Sequence, residues 1–283
     1  MTRSDHQQSH LSLFTPRGSD RGTHACRLIG MVHLLPLPGS PGWAGSMSKI
    51  IEAASQDAEA LIAGGCDALI VENMGDLPYL NGEIYPETVA AMTLATAEVC
   101  RMKHPTGVQA LAGANREALG IALATGAQFI RAEAFAYGHV ADEGWMDASA
   151  GPLLRHRANL GAEVQIWTDI QKKHAAHSLT ADLSIEDLCH GAYFCGAEAV
   201  IITGSRTGSE PDTEHVQRAR AAGLPVVIGS GVTKENIGSY AQIADAVIVG
   251  SALKFEGNWK NKVDINRVKS IRQALDQANQ AGG

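Results

Sequence analysis

The sequence predicts an α/β protein, a single (β/α)8 TIM barrel with a flexible N-terminal tail. Three observations support this fold class. Short apolar segments alternate regularly with segments of helical periodicity, and eight of each can be counted. The short segments are apolar at successive positions, as expected for parallel strands that are buried on both faces. The length of 283 residues also suits this barrel, which takes about 250 residues as one domain.

The strands are predicted from runs of Val, Ile, Leu and Ala that are bounded by turn residues. The first run ends before a segment rich in proline and glycine at positions 36–42. Each later run follows a glycine or a short polar turn. The eight strands are expected at residues 28–34, 68–71, 108–111, 129–134, 164–168, 199–203, 225–228 and 246–249.

The helices between these strands begin at polar residues or proline and end at glycine. Ser46 or Ser48 is expected to cap the first helix, which carries apolar residues at helical spacing over positions 50–62. Pro86 suits the first turn of the second helix. Gly64 and Gly65 are expected to end the first helix, because glycine adopts the left-handed backbone that follows a helix. The later helices are expected at residues 86–102, 116–124, 152–159, 185–194, 213–222, 236–241 and 263–278.

No linker divides the chain, so one domain is expected over residues 26–283, with residues 1–25 as a disordered tail. An open, doubly wound sheet is the alternative arrangement of alternating strands and helices. Such a sheet usually has about five to seven strands and a glycine-rich first turn. Because the sequence shows neither feature, the closed barrel is favoured.

The composition argues against several classes of function. The net charge of −7 disfavours nucleic acid and anionic membrane surfaces as partners. No apolar stretch reaches the roughly 18–20 residues of a membrane span. The five cysteines form no C-x-x-C pair, so free thiols in a reducing compartment are expected. A cytoplasmic protein is therefore expected, or one of an organelle matrix if the tail, with Arg3, Arg17 and Arg21, is a targeting segment.

Glycine-rich turns follow the last three predicted strands. Barrels of this kind place their active sites at the carboxyl ends of the strands and often bind phosphate between the loops after strands seven and eight. Glycine lets backbone N–H groups approach an anion closely. The alternative is that these glycines only turn the chain. The sequence predicts a phosphate-binding site formed by Gly204, Gly229, Ser230, Gly231, Gly250 and Ser251.

Charged side chains lie in or directly after the apolar strands. Glu72 follows the second strand, and Arg131 and Glu133 share one face of the fourth. Asp169 ends the fifth strand. Carboxylates gathered at one end of a barrel repel each other unless a cation or a shared proton intervenes, which favours acid–base chemistry or a divalent metal ion. A structural ion pair of Arg131 with Glu72 or Glu133 is the alternative.

His33 is expected to end the first strand and to point into the barrel mouth, in alternation with Gly30 and Val32. An imidazole there can exchange protons with a substrate near neutral pH. Alternatively, it only hydrogen-bonds a carboxylate and fixes the pocket. Asn73, directly after the second strand, is expected to contact the substrate.

A second group of polar residues follows the fifth strand. His174 and His177 are close in sequence to Asp169, and the three residues are candidate metal ligands. Lys173 is a candidate substrate-binding residue. Either Lys172 or Lys173 could form a Schiff base if it were desolvated, whereas a solvated lysine is the commoner case.

Several motifs, in order along the chain, resemble those of the BtpA family. Residues 31–41 (MVHLLPLPGSP) resemble its opening motif and residues 70–79 (IVENMGDLPY) its second. Residues 129–131, 169–174, 203–208 and 229–232 continue the resemblance. It implies a barrel similar to ribulose-phosphate-binding enzymes such as phosphoribosylanthranilate isomerase, and it implies no established reaction. The family is named for a cyanobacterial member associated with photosystem I, although other members belong to organisms without photosystems.

Three functions fit these observations. The first is an isomerase or lyase acting on a phosphorylated sugar-like or nucleotide-like molecule, in which His33 and Asp169 share the acid–base work. Glu72 and Glu133 would then position the substrate or a divalent cation. The second is a non-enzymatic assembly or stability factor that retains a ligand pocket. The third is a hydrolase that uses the candidate metal ligands. A divalent metal remains a candidate cofactor and a homo-oligomer a candidate assembly.

Overall fold

The computed structural model describes residues 25–204 and 212–281. Within these residues, eight parallel strands form a closed barrel in the order β1-β11-β10-β9-β7-β4-β3-β2, which confirms the predicted fold. The expected tail, apart from residue 25, and the motif at residues 205–208 lie outside the described residues. The strands are β1 (Arg27–His33), β2 (Ala68–Glu72), β3 (Thr106–Gln109), β4 (Phe129–Ala132), β5 (His139–Ala141), β6 (Gly144–Met146), β7 (Gln165–Asp169), β8 (Ala175–Ala176), β9 (Ala199–Ile202), β10 (Val226–Ile228) and β11 (Ala246–Val249).

Helices alternate with the barrel strands as predicted. The side chain of Ser46 caps the first helix by accepting a hydrogen bond from the backbone N–H of Lys49 at 3.4 Å. Gly65 ends this helix in the left-handed conformation, with φ of 98°. The helices are α1 (Met47–Gly64), α2 (Pro86–Cys100), α3 (Asn115–Thr125), α4 (Ala150–Leu160), α5 (Ile185–Phe194), α6 (Thr213–Ala219), α7 (Ile237–Ala241) and α8 (Ile265–Ala281).

At the carboxyl end of the barrel, two strands end two residues earlier than predicted, and the other strand ends lie within one residue of the prediction. β3 begins at Thr106 and ends at Gln109, two residues earlier than expected. The chain leaves the barrel there because the N–H of Leu111 donates to the side-chain oxygen of Asn73 at 2.7 Å. β4 ends at Ala132, because Ala134 adopts a positive φ of 46°, which is incompatible with a strand.

A small antiparallel sheet was missed by the prediction. Its order is β6-β5-β8, so a hairpin after β4 pairs with the segment after β7. The three strands have only two or three residues each, too few to show a period of two. The sheet lies at the carboxyl end of the barrel, because it continues from the ends of β4 and β7.

The inside of the barrel is filled by apolar side chains below the strand ends. Phe129 and Trp167 stack with ring centroids 3.7 Å apart and planes inclined by 13°. Gly107 makes room for them, because a Cβ at this position would lie 2.2 Å from the Phe129 ring. Ile29 and Met31 belong to the same inner cluster, so the next inward position of β1 is His33. This apolar layer forms the floor beneath the polar residues. Across the described part of the chain, no helix combines the length and apolarity that crossing a membrane requires.

Candidate active site

A cavity of about 900 Å3 opens at the carboxyl ends of the barrel strands. Titratable side chains from β1, β2, β4 and β7 line one side, and glycine-rich turns after β10 and β11 line the other. It therefore brings together most of the predicted site residues: His33, Glu72, Arg131, Glu133, Asp169, Lys173, His174, Gly229, Ser230, Gly231, Gly250 and Ser251.

Arg131 and Asp169 form a buried, two-pronged ion pair at the base of this cavity. Nε and one terminal nitrogen of Arg131 each donate to a different oxygen of Asp169, both at 2.8 Å. The expected structural partner of Arg131 was Glu72 or Glu133, and the pair with Asp169 corrects this. The geometry fits because β4 and β7 are neighbours in the barrel. Both carboxyl oxygens of Asp169 are thus occupied by charge-assisted hydrogen bonds from this arginine.

Glu72 and His33 meet side by side on the adjacent strands β1 and β2. His33 Nε2 lies 3.4 Å from a Glu72 oxygen, and both side chains are buried. Burial raises the pKa of Glu72 to about 7, although Arg131 and Lys173 partly offset it. Burial lowers the pKa of His33 to about 3, with nearby Lys254 acting in the same direction. The imidazole is thus neutral at pH 7, contrary to the expected titration near neutrality.

Glu133 is a second buried carboxyl group whose backbone is fixed from outside the cavity. The side-chain amide of Asn115 donates to its carbonyl oxygen at 2.7 Å, and its own N–H donates to the Asn115 oxygen at 3.2 Å. Gln109 donates to the carboxyl group at 3.4 Å. Burial raises the pKa of Glu133 to about 7, while Lys172 at 3.6 Å opposes this. Glu72 and Glu133 are therefore the groups able to carry a proton near neutral pH.

The two lysines after β7 have different environments. Lys172 Nζ donates to Glu143 at 2.5 Å and lies 3.6 Å from Glu133. Lys173 also lines the cavity. Burial lowers the pKa of Lys173 to about 8, and the positive charge of Arg131 adds to this effect.

The glycine-rich turns after β10 and β11 pack closely against His33 and Arg131. A Cβ on Gly250 would lie 3.0 Å from the His33 ring, and a Cβ on Gly229 would lie 3.2 Å from an Arg131 nitrogen. Gly231 has a positive φ of 74°. The hydroxyl of Ser230 is buried and has no hydrogen-bond partner among the described residues. The glycine-rich side of the cavity thus consists of glycine backbone and of a serine whose buried hydroxyl has no partner among the described residues. Gly204, expected to contribute, lies outside the lining.

In the motif after β2, Asn73 and Asp76 join three loops, whereas Met74, Leu77 and Tyr79 line the cavity. The side-chain amide of Asn73 donates to Asp76 at 3.1 Å and to the carbonyl oxygen of Leu111 at 3.2 Å. Asp76 in turn accepts from the backbone N–H of Leu37 at 2.7 Å. Asn73 is therefore occupied by loop contacts and is absent from the cavity lining. Its position explains how the loops after β1, β2 and β3 are held together.

The candidate metal ligands are not brought together. Asp169 is engaged by Arg131, and His177 Nε2 lies 3.0 Å from the carbonyl oxygen of Lys172. His174 adopts a positive φ of 54° at the cavity edge. In the described ranges, no group of three or more His, Cys, Asp or Glu side chains is arranged to hold a metal ion. The residues proposed for a metal-dependent hydrolase thus do not form such a centre.

Five charged residues of the cavity lining were not predicted from the sequence: Asp142, Glu143, Lys234, Glu235 and Arg267. Glu143 lies in the two-residue turn between β5 and β6, and Lys234 and Arg267 lie near the glycine-rich side. The Asp142-Glu143-Gly144 turn, flanked by short alternating segments, was the available signal for a hairpin. Nothing in the sequence pattern singles out Lys234 or Arg267, which belong to polar loop and helix surfaces.

Comparisons with known proteins agree with this architecture. The profile of the BtpA family matches residues 24–277. An uncharacterised mitochondrial protein of Caenorhabditis elegans is 45% identical over 257 residues, covering 88% of this chain and 92% of that relative. The photosystem I biogenesis protein BtpA of Synechocystis is 39% identical over 253 residues, covering 88% of this chain and 87% of that relative.

Solved structures agree on the fold. N-(5'-phosphoribosyl)anthranilate isomerase from Pyrococcus furiosus superposes with a TM-score of 0.56 at 12% identity. The match covers 89% of this chain and 99% of the isomerase. Together with the family profile and the two relatives, the ordered motifs around the barrel mouth lead to one conclusion: this chain belongs to the BtpA family.

Proposed function

We propose that this protein is an enzyme of isomerase or lyase type that acts on a phosphorylated sugar-like or nucleotide-like molecule. One observation carries the proposal: a single cavity contains two carboxyl groups with a pKa of about 7 opposite two glycine-rich turns. The glycine side suits a phosphate group, and the carboxyl side suits proton transfer at the carbon skeleton. The phosphoribosyl substrate in the name of the Pyrococcus isomerase agrees with this class of ligand.

The residues take different roles in this proposal from those the sequence suggested. Glu72 and Glu133 transfer protons, because each is balanced between its acid and base forms near pH 7. His33, neutral at this pH, orients Glu72 through Nε2. Arg131, fixed by Asp169, supplies a positive charge that stabilises an anionic intermediate of the reaction.

The phosphate site is tested by comparing Gly231→Ala with Gly161→Ala. Both glycines have a positive φ, of 74° and 61°, so both variants lose stability through the same backbone strain, about 1–2 kcal/mol. Gly161 ends α4 and lies outside the cavity. Calorimetry with ribose 5-phosphate and with inorganic phosphate should show weaker binding only in Gly231→Ala. Equal affinity in both variants would place the anion elsewhere.

Proton transfer is tested separately from binding. A bound phosphosugar should exchange a carbon-bound hydrogen with deuterium from the solvent, and Glu72→Gln and Glu133→Gln should each slow this exchange by about 100-fold or more. Unchanged exchange in both variants would contradict the assignment of the two carboxyl groups. The variants should retain calorimetric phosphate binding, since neither residue belongs to the glycine side.

A second candidate is a ligand-binding assembly or stability factor. The observation in its favour is the name of the Synechocystis relative, which is 39% identical to this chain. Against it, the nematode relative is 45% identical and comes from an animal that has no photosystem. Phosphosugar binding without turnover or hydrogen exchange would favour this second function.

We infer that this protein is located in an organelle matrix rather than in the cytoplasm. The support is the mitochondrial designation of the nematode relative. Residues 1–25 contain Arg3, Arg17 and Arg21 together with Asp5 and Asp20, and acidic residues are scarce in targeting segments. A fluorescent protein fused to the carboxyl end of residues 1–25 distinguishes the two locations. Import of the fusion into mitochondria supports the organelle matrix, and a diffuse cytoplasmic signal contradicts it.

A further inference from the structure

We propose that Lys173 is a nucleophile that forms a Schiff base with the carbonyl carbon of the substrate. The substrate class is then a phosphorylated aldose or ketose that reacts in its open-chain carbonyl form. The phosphate part of this inference rests on the function proposed above, whereas the reactivity of the amine depends on Lys173 and its neighbours alone.

The contrast between the two consecutive lysines is the geometric basis. Lys172 is engaged by Glu143 at 2.5 Å and by Glu133 at 3.6 Å, so its ammonium group has a structural task. Lys173 lines the same cavity, yet among the described residues its ammonium group forms no hydrogen bond or ion pair. A cavity amine that has no committed partner among the described residues is available to a ligand.

The electrostatic surroundings favour the neutral amine that a nucleophile requires. Burial lowers the pKa of Lys173 to about 8, and Arg131 reinforces this, whereas the nearby carboxyl groups oppose it. At pH 7 an amine with this pKa is about 10% unprotonated, compared with roughly 0.04% for an ordinary lysine. The reactive fraction is therefore about 200 times larger than at an exposed lysine.

The neighbouring carboxyl groups provide the acid that this reaction needs. The Nζ lone pair attacks the carbonyl carbon and forms a C–N bond, and the carbonyl electron pair moves to oxygen. Nitrogen then loses a proton and the oxygen gains one, which gives a neutral carbinolamine. The resulting hydroxyl group is protonated again and leaves as water, and the nitrogen lone pair forms the C=N bond. Glu72 and Glu133, each with a pKa of about 7, donate or accept the protons. One water is released, and nothing is oxidised or reduced.

The experiment traps the imine by reduction. The full-length protein is incubated with dihydroxyacetone phosphate and sodium cyanoborohydride, whose hydride converts the iminium ion into a stable secondary amine. Peptide mapping by mass spectrometry should find the adduct on Lys173 at pH 7, with exposed lysines modified about 200-fold more slowly. Lys173→Arg should lose it, and Lys49→Arg, at an exposed lysine outside the cavity, should retain it.

The outcomes separate this inference from the proposed function. An adduct on Lys172 overturns the assignment to Lys173. Adducts that are spread evenly over the surface lysines overturn it as well. Calorimetric binding of ribose 5-phosphate with no trapped adduct also overturns it, and leaves the proposed phosphate site intact. In a further outcome, the protein traps unphosphorylated glycolaldehyde on Lys173 and yet binds no phosphate. That result supports Lys173 as the nucleophile and contradicts the proposed phosphate site. If Lys173→Arg does not fold, mapping of the unmutated protein still decides the point.

Discussion

The ion pair between Arg131 and Asp169 allows a quantitative test of the cavity. Asp169→Asn preserves the shape of the side chain and removes its charge. The guanidinium group of Arg131 then remains buried, with only 9% of its side chain exposed, and lacks a counter-ion. Arg131 donates both hydrogen bonds to Asp169. In the variant, the NH2 group of the asparagine therefore faces an N–H donor of the arginine and cannot accept from it.

The expected loss of stability is large because both charges are out of water. Removing one partner of a buried ion pair typically costs about 3–5 kcal/mol. For a domain of this size, a loss of that order lowers the melting temperature by roughly 10 °C. The exposed pair Arg101–Glu98 is a matched control, with an N–O distance of 3.0 Å and 77% of the arginine side chain exposed. Glu98→Gln should cost less than about 0.5 kcal/mol.

Urea unfolding followed by circular dichroism measures both variants. A third variant, with Arg131→Met and Asp169→Leu together, should recover most of the loss, because apolar replacement of both partners is often neutral. If Asp169→Asn unfolds at the same urea concentration and with the same slope as the unmutated protein, the pair does not hold the cavity together. Arg131 would then not be held as a fixed charge in the cavity either.

Three further outcomes are expected. Gly107→Ala should lower the free energy of unfolding in urea by about 1–3 kcal/mol, because its Cβ would meet the Phe129 ring. Gly120→Ala, in α3 with open space around its Cβ, should raise the free energy of unfolding by about 0.5–1 kcal/mol. In the unmutated protein, the pKa of Glu72 is raised from 4.5 to about 7 in the folded state. Its protonated form therefore stabilises the fold below pH 4.5, and this stabilisation is lost as the pH rises through 7. Glu72→Gln should therefore reduce the decrease in the free energy of unfolding that is measured from about pH 5 to 8. Ellman's reagent should react slowly with the native protein at the thiols whose pKa burial raises to about 12, those of Cys26, Cys66 and Cys189.

The barrel could be predicted because its signals are local and repeated. Each strand is a buried apolar run, and left-handed glycines such as Gly65 and Gly161 end the helices. The boundary of β3 could not be predicted, because the bond from the N–H of Leu111 to Asn73 joins residues 38 positions apart. The small antiparallel sheet was missed for a related reason, since β5 and β8 are too short to show a pattern before they pair.

The positions of the candidate site residues could be predicted from the sequence better than their chemical states. Position at a strand end was enough to gather Glu72, Glu133 and Asp169 at one cavity. It could not distinguish them, because ionisation depends on which carboxyl group meets the arginine. The strand order settles this, since Arg131 on β4 faces Asp169 on the adjacent β7. The pKa of His33 likewise depends on burial at the end of a closed barrel, which the sequence does not express.

The division of charges within the cavity links anion binding to proton transfer. Arg131 neutralises Asp169, and Lys172 neutralises Glu143, so these four residues leave little net charge. Glu72 and Glu133 have a pKa of about 7, so at neutral pH they carry less negative charge than two ordinary carboxylates would. An incoming phosphate therefore meets weaker repulsion, and its own negative charge raises the pKa of both groups further. Under the proposed function, the protonation that permits an anion to bind is thus the same protonation that provides the acid for its conversion.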